Sequence, residues 1–284
     1  MSLFRIHVLD ALTAPGNQAR PNDDAFATAA RCACVLDGAT GLGDAPLMPG
    51  ASDASWLAVE AAAILAPMAD DPRLSARALI AETARALRER FCALRVRPPR
   101  ENYEIPFASL MMLRACEHGQ EAAWFGDCRA ILRDASGAIS AFGPGSAHRA
   151  QELARARGFK GLSSDTLRGE ALPTLRRLRN FVNGPEGYGL LGPDERCADL
   201  LKVRRIEAQL PFEALLMSDG FYALVTDYKR YSDKGLLRRA LDEGLAPLYA
   251  ELRGIEYEDK DMRVHPRFKV SDDATALLVR AEAT

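Results

Sequence analysis

Histidine is scarce in this chain. Four are present among 284 residues, His7, His118, His148 and His265. They are scattered, with no H-E-x-x-H or paired spacing, which argues against a histidine-based zinc site. The six cysteines, Cys32, Cys34, Cys92, Cys116, Cys128 and Cys197, include no C-x-x-C pair. Cys32 and Cys34 stand two apart on a predicted strand and share a face, as small buried thiols in a reducing compartment do. Neither sign of charge dominates. The formal net charge is -2, which gives no electrostatic argument for a nucleic-acid partner or an anionic membrane. Long apolar runs are missing too. The most apolar helical stretch, 56–68, is too short to span a bilayer and carries Glu60. The opening residues Met1-Ser2-Leu3-Phe4-Arg5-Ile6-His7 lack the basic segment and apolar core of a secretory signal. There is no internal repeat, low-complexity block or clear linker. A soluble, cytoplasmic protein of one domain, 1–284, is expected.

What the sequence does have is an ordinary globular balance, 48% hydrophobic and 27% charged residues, enough for a sizeable core. It also has a recurring device. In Val35-Leu36-Asp37-Gly38-Ala39-Thr40-Gly41 an apolar strand ends in an aspartate and a glycine-rich turn follows. The strand fixes the Asp37 backbone, and Gly38 lets the chain turn with its carbonyl facing whatever Asp37 binds. Apolar segments lead into or out of acids in the same way at Asn22-Asp23-Asp24-Ala25-Phe26, at Leu215-Leu216-Met217-Ser218-Asp219-Gly220, and at Ser271-Asp272-Asp273-Ala274-Thr275. A single Asp-Gly is a common turn. Four acidic strand ends spread over the chain need a shared explanation. Carboxylates gathered without histidine or cysteine suit hard cations such as magnesium or manganese, which remove their mutual repulsion.

The local patterns predict strands over 4–12, 25–30, 31–37 and 107–116, then an antiparallel meander through 121–125, 129–133 and 138–142. A strand pair is expected at 203–209 and 212–217, and a last buried strand at 274–279. Helices are predicted from a Ser52 or Asp53 cap, from Asp71 before Pro72, over 146–157, and as one amphipathic helix over 236–252. Pro173 reads as an interruption of a helical pattern, and 253–269 as charged and irregular. Antiparallel hairpins with late helices argue for α+β rather than a doubly wound parallel sheet.

These pieces resemble the metal-dependent protein phosphatases of the type 2C (PPM) family, the bacterial members in particular. The matching residues come in the family's order: Asn22-Asp23-Asp24-Ala25-Phe26, Asp37-Gly38, Phe107-Ala108-Ser109-Leu110, Phe125-Gly126-Asp127-Cys128-Arg129-Ala130, Leu216-Met217-Ser218-Asp219-Gly220 and Asp272-Asp273-Ala274-Thr275. The resemblance implies a four-layer α-β-β-α sandwich of two antiparallel sheets flanked by helices, with manganese or magnesium at one end of the sheets. Asp37 would bridge two ions, Asp219 and Asp272 would complete the first site, and the Gly38 carbonyl with an acid of the Asp23–Asp24 pair would serve the second. Asp127 would join Asp219 in a weaker third site. Arg20, three residues before Asp23 and four before Asp24, stands near the place of the family's phosphate-binding arginine; a solvated loop arginine is the alternative. The implied activity is hydrolysis of phosphoserine and phosphothreonine in a phosphorylated protein by a metal-activated water. The alternatives are a phosphatase of a small phosphoester and a non-catalytic metal-binding module that binds a phosphoprotein. Ala39 stands where some relatives carry a histidine that can donate a proton, and Asp273 where many carry asparagine.

Overall fold

The computed structural model describes residues 4–144, 164–267 and 269–284, with only the backbone for 164–170. Its ten strands are β1 (Phe4–Ala14), β2 (Asp24–Ala29), β3 (Cys32–Gly38), β4 (Ala108–Cys116), β5 (Gly119–Phe125), β6 (Arg129–Arg133), β7 (Ile139–Phe142), β8 (Lys202–Arg205), β9 (Phe212–Met217) and β10 (Ala274–Ala283). They form two five-stranded antiparallel sheets, in the orders β1-β10-β9-β6-β7 and β2-β3-β4-β5-β8. The described helices are α1 (Asp53–Ala69), α2 (Ala76–Leu94), α3 (Ser164–Arg179), α4 (Asp219–Thr226), α5 (Asp233–Glu243) and α6 (Leu245–Glu258).

Alternation along the strands divides the core into layers. On β3, Cys32, Cys34 and Leu36 pack with Leu57, Leu65, Leu79 and Leu87 of α1 and α2. The intervening Ala33 and Val35 meet Met111, Leu113, Leu216, Leu277 and Val279 between the two sheets. Ile131, Leu215 and Leu278 face the other way, onto Phe221, Leu237, Leu248 and Leu252 of α4, α5 and α6. The result is the expected α-β-β-α sandwich. No described helix is long and apolar enough to cross a membrane.

Several local expectations need correction. Of the two expected caps of α1, Ser52 is the one that serves, accepting from Ser55 N, while Asp53 accepts from Leu47 and Met48 N and ties down the preceding loop. Helix α2 starts at Ala76 behind Ser75, not at Pro72. Asp71 instead closes a turn on Arg73, and the fully buried Arg114 binds the carbonyls of Asp71 and Leu74. The backbone runs helically through Pro173. The 236–252 helix is two helices broken at Gly244, and α6 continues to Glu258. β8 and β9 do not pair with each other; β8 extends the β5 edge while β9 sits between β10 and β6. The predicted helix at 146–157 lies outside the described residues.

Candidate metal centre

Register places the acids. Asp24 lies opposite Asp37 in the β2–β3 ladder, and Asp37 lies opposite Ser109 in the β3–β4 ladder. Residues directly opposite in antiparallel strands project to the same face, so Asp24, Asp37 and Ser109 form a row on the inter-sheet side. Ser109 Oγ donates to Asp127 Oδ1 at 2.7 Å, adding an acid from the β5–β6 turn. From the other sheet, Met217 at the end of β9 pairs with Ala276 near the start of β10. Asp219, just past β9, and Asp272, just before β10, therefore leave that sheet side by side. Ser218 N donates to Thr275 O at 3.0 Å, and Thr275 N to Ser218 Oγ at 2.9 Å, locking the two ends together.

Glycines sit where the backbones crowd. A Cβ on Gly38 would lie 2.4 Å from Asp23 O and 2.8 Å from Ala54 O, and one on Gly220 would lie 2.0 Å from Asp273 O. The Asp-Gly pairs are thus packing requirements as well as turns. Asp273 accepts from Gly16 N and Asp23 N at 2.8 and 2.7 Å, so its carboxylate is spent on holding the 16–23 loop.

The acids act on one another electrostatically. Burial pushes the Asp37 carboxyl well above the usual carboxylate range, and Asp24, Asp219, Asp127 and Asp272 push it further. Asp24 is raised by burial, opposed in part by the Ser218 and Thr275 hydroxyls, with Asp272 and Asp273 adding to the rise. Its Oδ2 is buried without a hydrogen-bond partner. Asp23 is raised by burial against a hydrogen bond from Ser52. A buried oxygen with no donor and like charges held together are what a hard cation relieves. The donor set is oxygen-only apart from Cys128, whose sulfur lies within 4.8 Å of ligand atoms of Asp37 and Asp127. Burial and the neighbouring acids keep that thiol protonated, so it offers no thiolate. The residues present fit magnesium or manganese.

The structure therefore brings together Asp24, Asp37, Asp127, Asp219 and Asp272, with Gly38 and Asp23 alongside. Arg20 is exposed, and among the described residues its side chain makes no ion pair. Three contributors carried no sequence signal for their roles. Ser109 holds Asp127, Ser52 holds Asp23, and Lys269 Nζ donates to Asp272 Oδ1 at 2.7 Å and to Thr40 Oγ1 at 3.1 Å. Lys269 comes from the stretch expected to be irregular, and only folding sets it beside Thr40.

The model of the family described as "Protein phosphatase 2C" matches residues 17–252. A search of curated protein sequences finds no match. Among solved structures, the chain resembles the serine/threonine phosphatase PstP/Ppp of Mycobacterium tuberculosis, with 15% identity, a TM-score of 0.55 and coverage of 98% of this chain and 99% of that one. It also resembles PppA, a key regulatory component of T6SS in Pseudomonas aeruginosa, with 18% identity, a TM-score of 0.53 and coverage of 99% and 98%. A further match is the catalytic domain of PstP in complex with two manganese ions, with 17% identity, a TM-score of 0.50 and coverage of 98% and 99%. At such identities the structural likeness speaks for the fold. The family match spans most of the chain and agrees with the acid-bearing strand ends, and the chain belongs to the protein phosphatase 2C family.

Proposed function

We propose that this protein is a metal-dependent phosphatase that hydrolyses phosphoserine and phosphothreonine in phosphorylated proteins. The observation that carries the reading is the convergence of five aspartates from both sheets on one end of the sandwich, around the raised carboxyl of Asp37. Strands β1 and β10, from opposite ends of the chain, pair along their length, which supports one catalytic domain over 1–284.

In this reading Asp37, Asp219 and Asp272 would hold a first ion, and Asp37, the Gly38 carbonyl and one acid of the Asp23–Asp24 pair would hold a second. Asp127 and Asp219 would hold a weaker third. Bound manganese or magnesium supplies a water of lowered pKa and positive charge for the phosphoryl oxygens. The two-manganese complex of PstP supports that choice of ion. The chain's own part is positional. The β2–β3–β4 register fixes the Asp24–Asp37 pair, and Ser109 fixes Asp127. Arg20, exposed on the loop before β2, is free to bind the substrate phosphate. Ala39 offers no proton to the leaving group, so protonation falls to solvent or to another residue.

Hydrolysis of p-nitrophenyl phosphate and of phosphoserine and phosphothreonine peptides tests the reading. Turnover is expected to require added manganese or magnesium and to stop in EDTA. Full activity in a chelated preparation would sink the metal role. Turnover of the small ester without any phosphopeptide points to a small-phosphoester enzyme. Metal-dependent phosphopeptide binding without turnover points to a regulatory module.

A further inference from the structure

The segment between α6 and β10 lies beyond the part of the chain that the family model matches. It is nevertheless tightly built. Asp259 accepts from the backbone N–H groups of Arg263, Val264 and His265 at 2.9, 3.0 and 2.9 Å. Arg267 binds Asp259 Oδ2 at 2.8 Å, and its Nε donates to Val270 O at 2.9 Å. Arg253 reaches across and donates to Asp272 O at 2.8 Å. These bonds fix the chain on both sides of Lys269. The ammonium is thereby delivered to Asp272 and Thr40, with the side chain still 47% exposed. Its charge also acts on Asp37, Asp219 and Asp23.

We propose that Lys269 is a resident counter-ion of the acid cluster, held on Asp272 in the metal-free protein and displaced from it when a divalent cation binds. This rests on the metal-centre reading above. The ammonium occupies an oxygen of Asp272, a carboxylate that reading assigns to an ion. Two cations on one carboxylate repel each other, the more so where water is partly excluded. The exposed lysine can swing to solvent, so exchange is open to it. The lysine thus stabilises the empty site and weakens metal uptake, setting the cation concentration at which the site fills.

Manganese titration by calorimetry of the chelator-stripped full chain tests this, alongside melting in EDTA. Lys269→Met is expected to bind manganese about tenfold more tightly than wild type. It is also expected to melt lower in EDTA, with the gap closing at saturating manganese. Lys269→Arg, which keeps the charge, should stay near wild type, and Lys269→Gln should follow Lys269→Met. Unchanged or weaker manganese binding in both neutral variants, with wild type binding normally, overturns the exchange and leaves the metal centre standing. Folded wild type and variants that all ignore manganese overturn the metal centre and the exchange with it.

Discussion

A carboxylate at the end of a buried strand is costly to keep charged, and at Asp37 four neighbouring acids add to that cost. Desolvation raises it, and Asp24, Asp219, Asp127 and Asp272 each add to the rise. Little of its side chain is needed for packing, since the row it shares with Asp24 and Ser109 is polar. Asp37→Ala is therefore expected to stay folded and to lose turnover on the order of a thousandfold, because it removes the one ligand assigned to both the first and the second ion. Circular dichroism beside steady-state hydrolysis checks this; near-normal turnover in the folded variant would remove the bridging role. At this scale the sequence was generous with acids and silent about their holders. Asp37-Gly38 and Asp219-Gly220 stand out because an apolar run precedes each. Ser109 does not, because its role depends on lying opposite Asp37 and reaching Asp127, eighteen residues further on.

Elements were legible in kind and less so in extent. The β6–β7 hairpin and the α1 cap are where residue chemistry places them, since turns and caps are local. The start of α2 was misread because Asp71-Pro72 looks like a cap, while the Asp71 carboxylate is drawn to Arg73. The α5–α6 break was missed because the apolar stripe continues across Gly244. That residue takes φ +80°, ψ -176°, which side chains with a Cβ rarely adopt. Asp10 of β1 accepts from Leu245 N at 2.8 Å and secures the start of α6. Gly244→Ala is expected to destabilise the fold by about 1–3 kcal/mol. It should leave manganese uptake and turnover unchanged below the melting range, because the side chain a Cβ there would meet, Asp10, is not among the assigned ligands. Urea unfolding measures the loss. An unshifted midpoint would show that the backbone relaxes there at no cost.

Across the whole molecule, the raised acids make the metal-free fold sensitive to pH in a definite direction. Asp24 and Asp37 have folded-state values above the ordinary aspartate value, so over the window between the two the folded chain holds protons that the unfolded chain has released. Stability must then fall as pH rises through that window, and recover as pH is lowered toward about 4. Scanning calorimetry in EDTA should show the melting temperature rising as pH drops from neutrality toward about 5. Saturating manganese or Asp37→Asn should flatten that slope. A flat profile in EDTA would mean the carboxylates are less crowded than the structure has them. The sequence by itself determined the α+β class, the acid-bearing strand ends and the type of cation they suit, because strand periodicity and the chemistry of oxygen ligands are local; the two-sheet, helix-flanked arrangement was implied only by the resemblance of its motifs to a family. Tertiary structure alone decided which acids meet. Sheet register sets Asp24 against Asp37, the β9–β10 pairing sets Asp219 beside Asp272, and the brace around Asp259 carries Lys269 to them. Those neighbours are fixed by pairing between segments up to the full length of the chain apart, which no local pattern records.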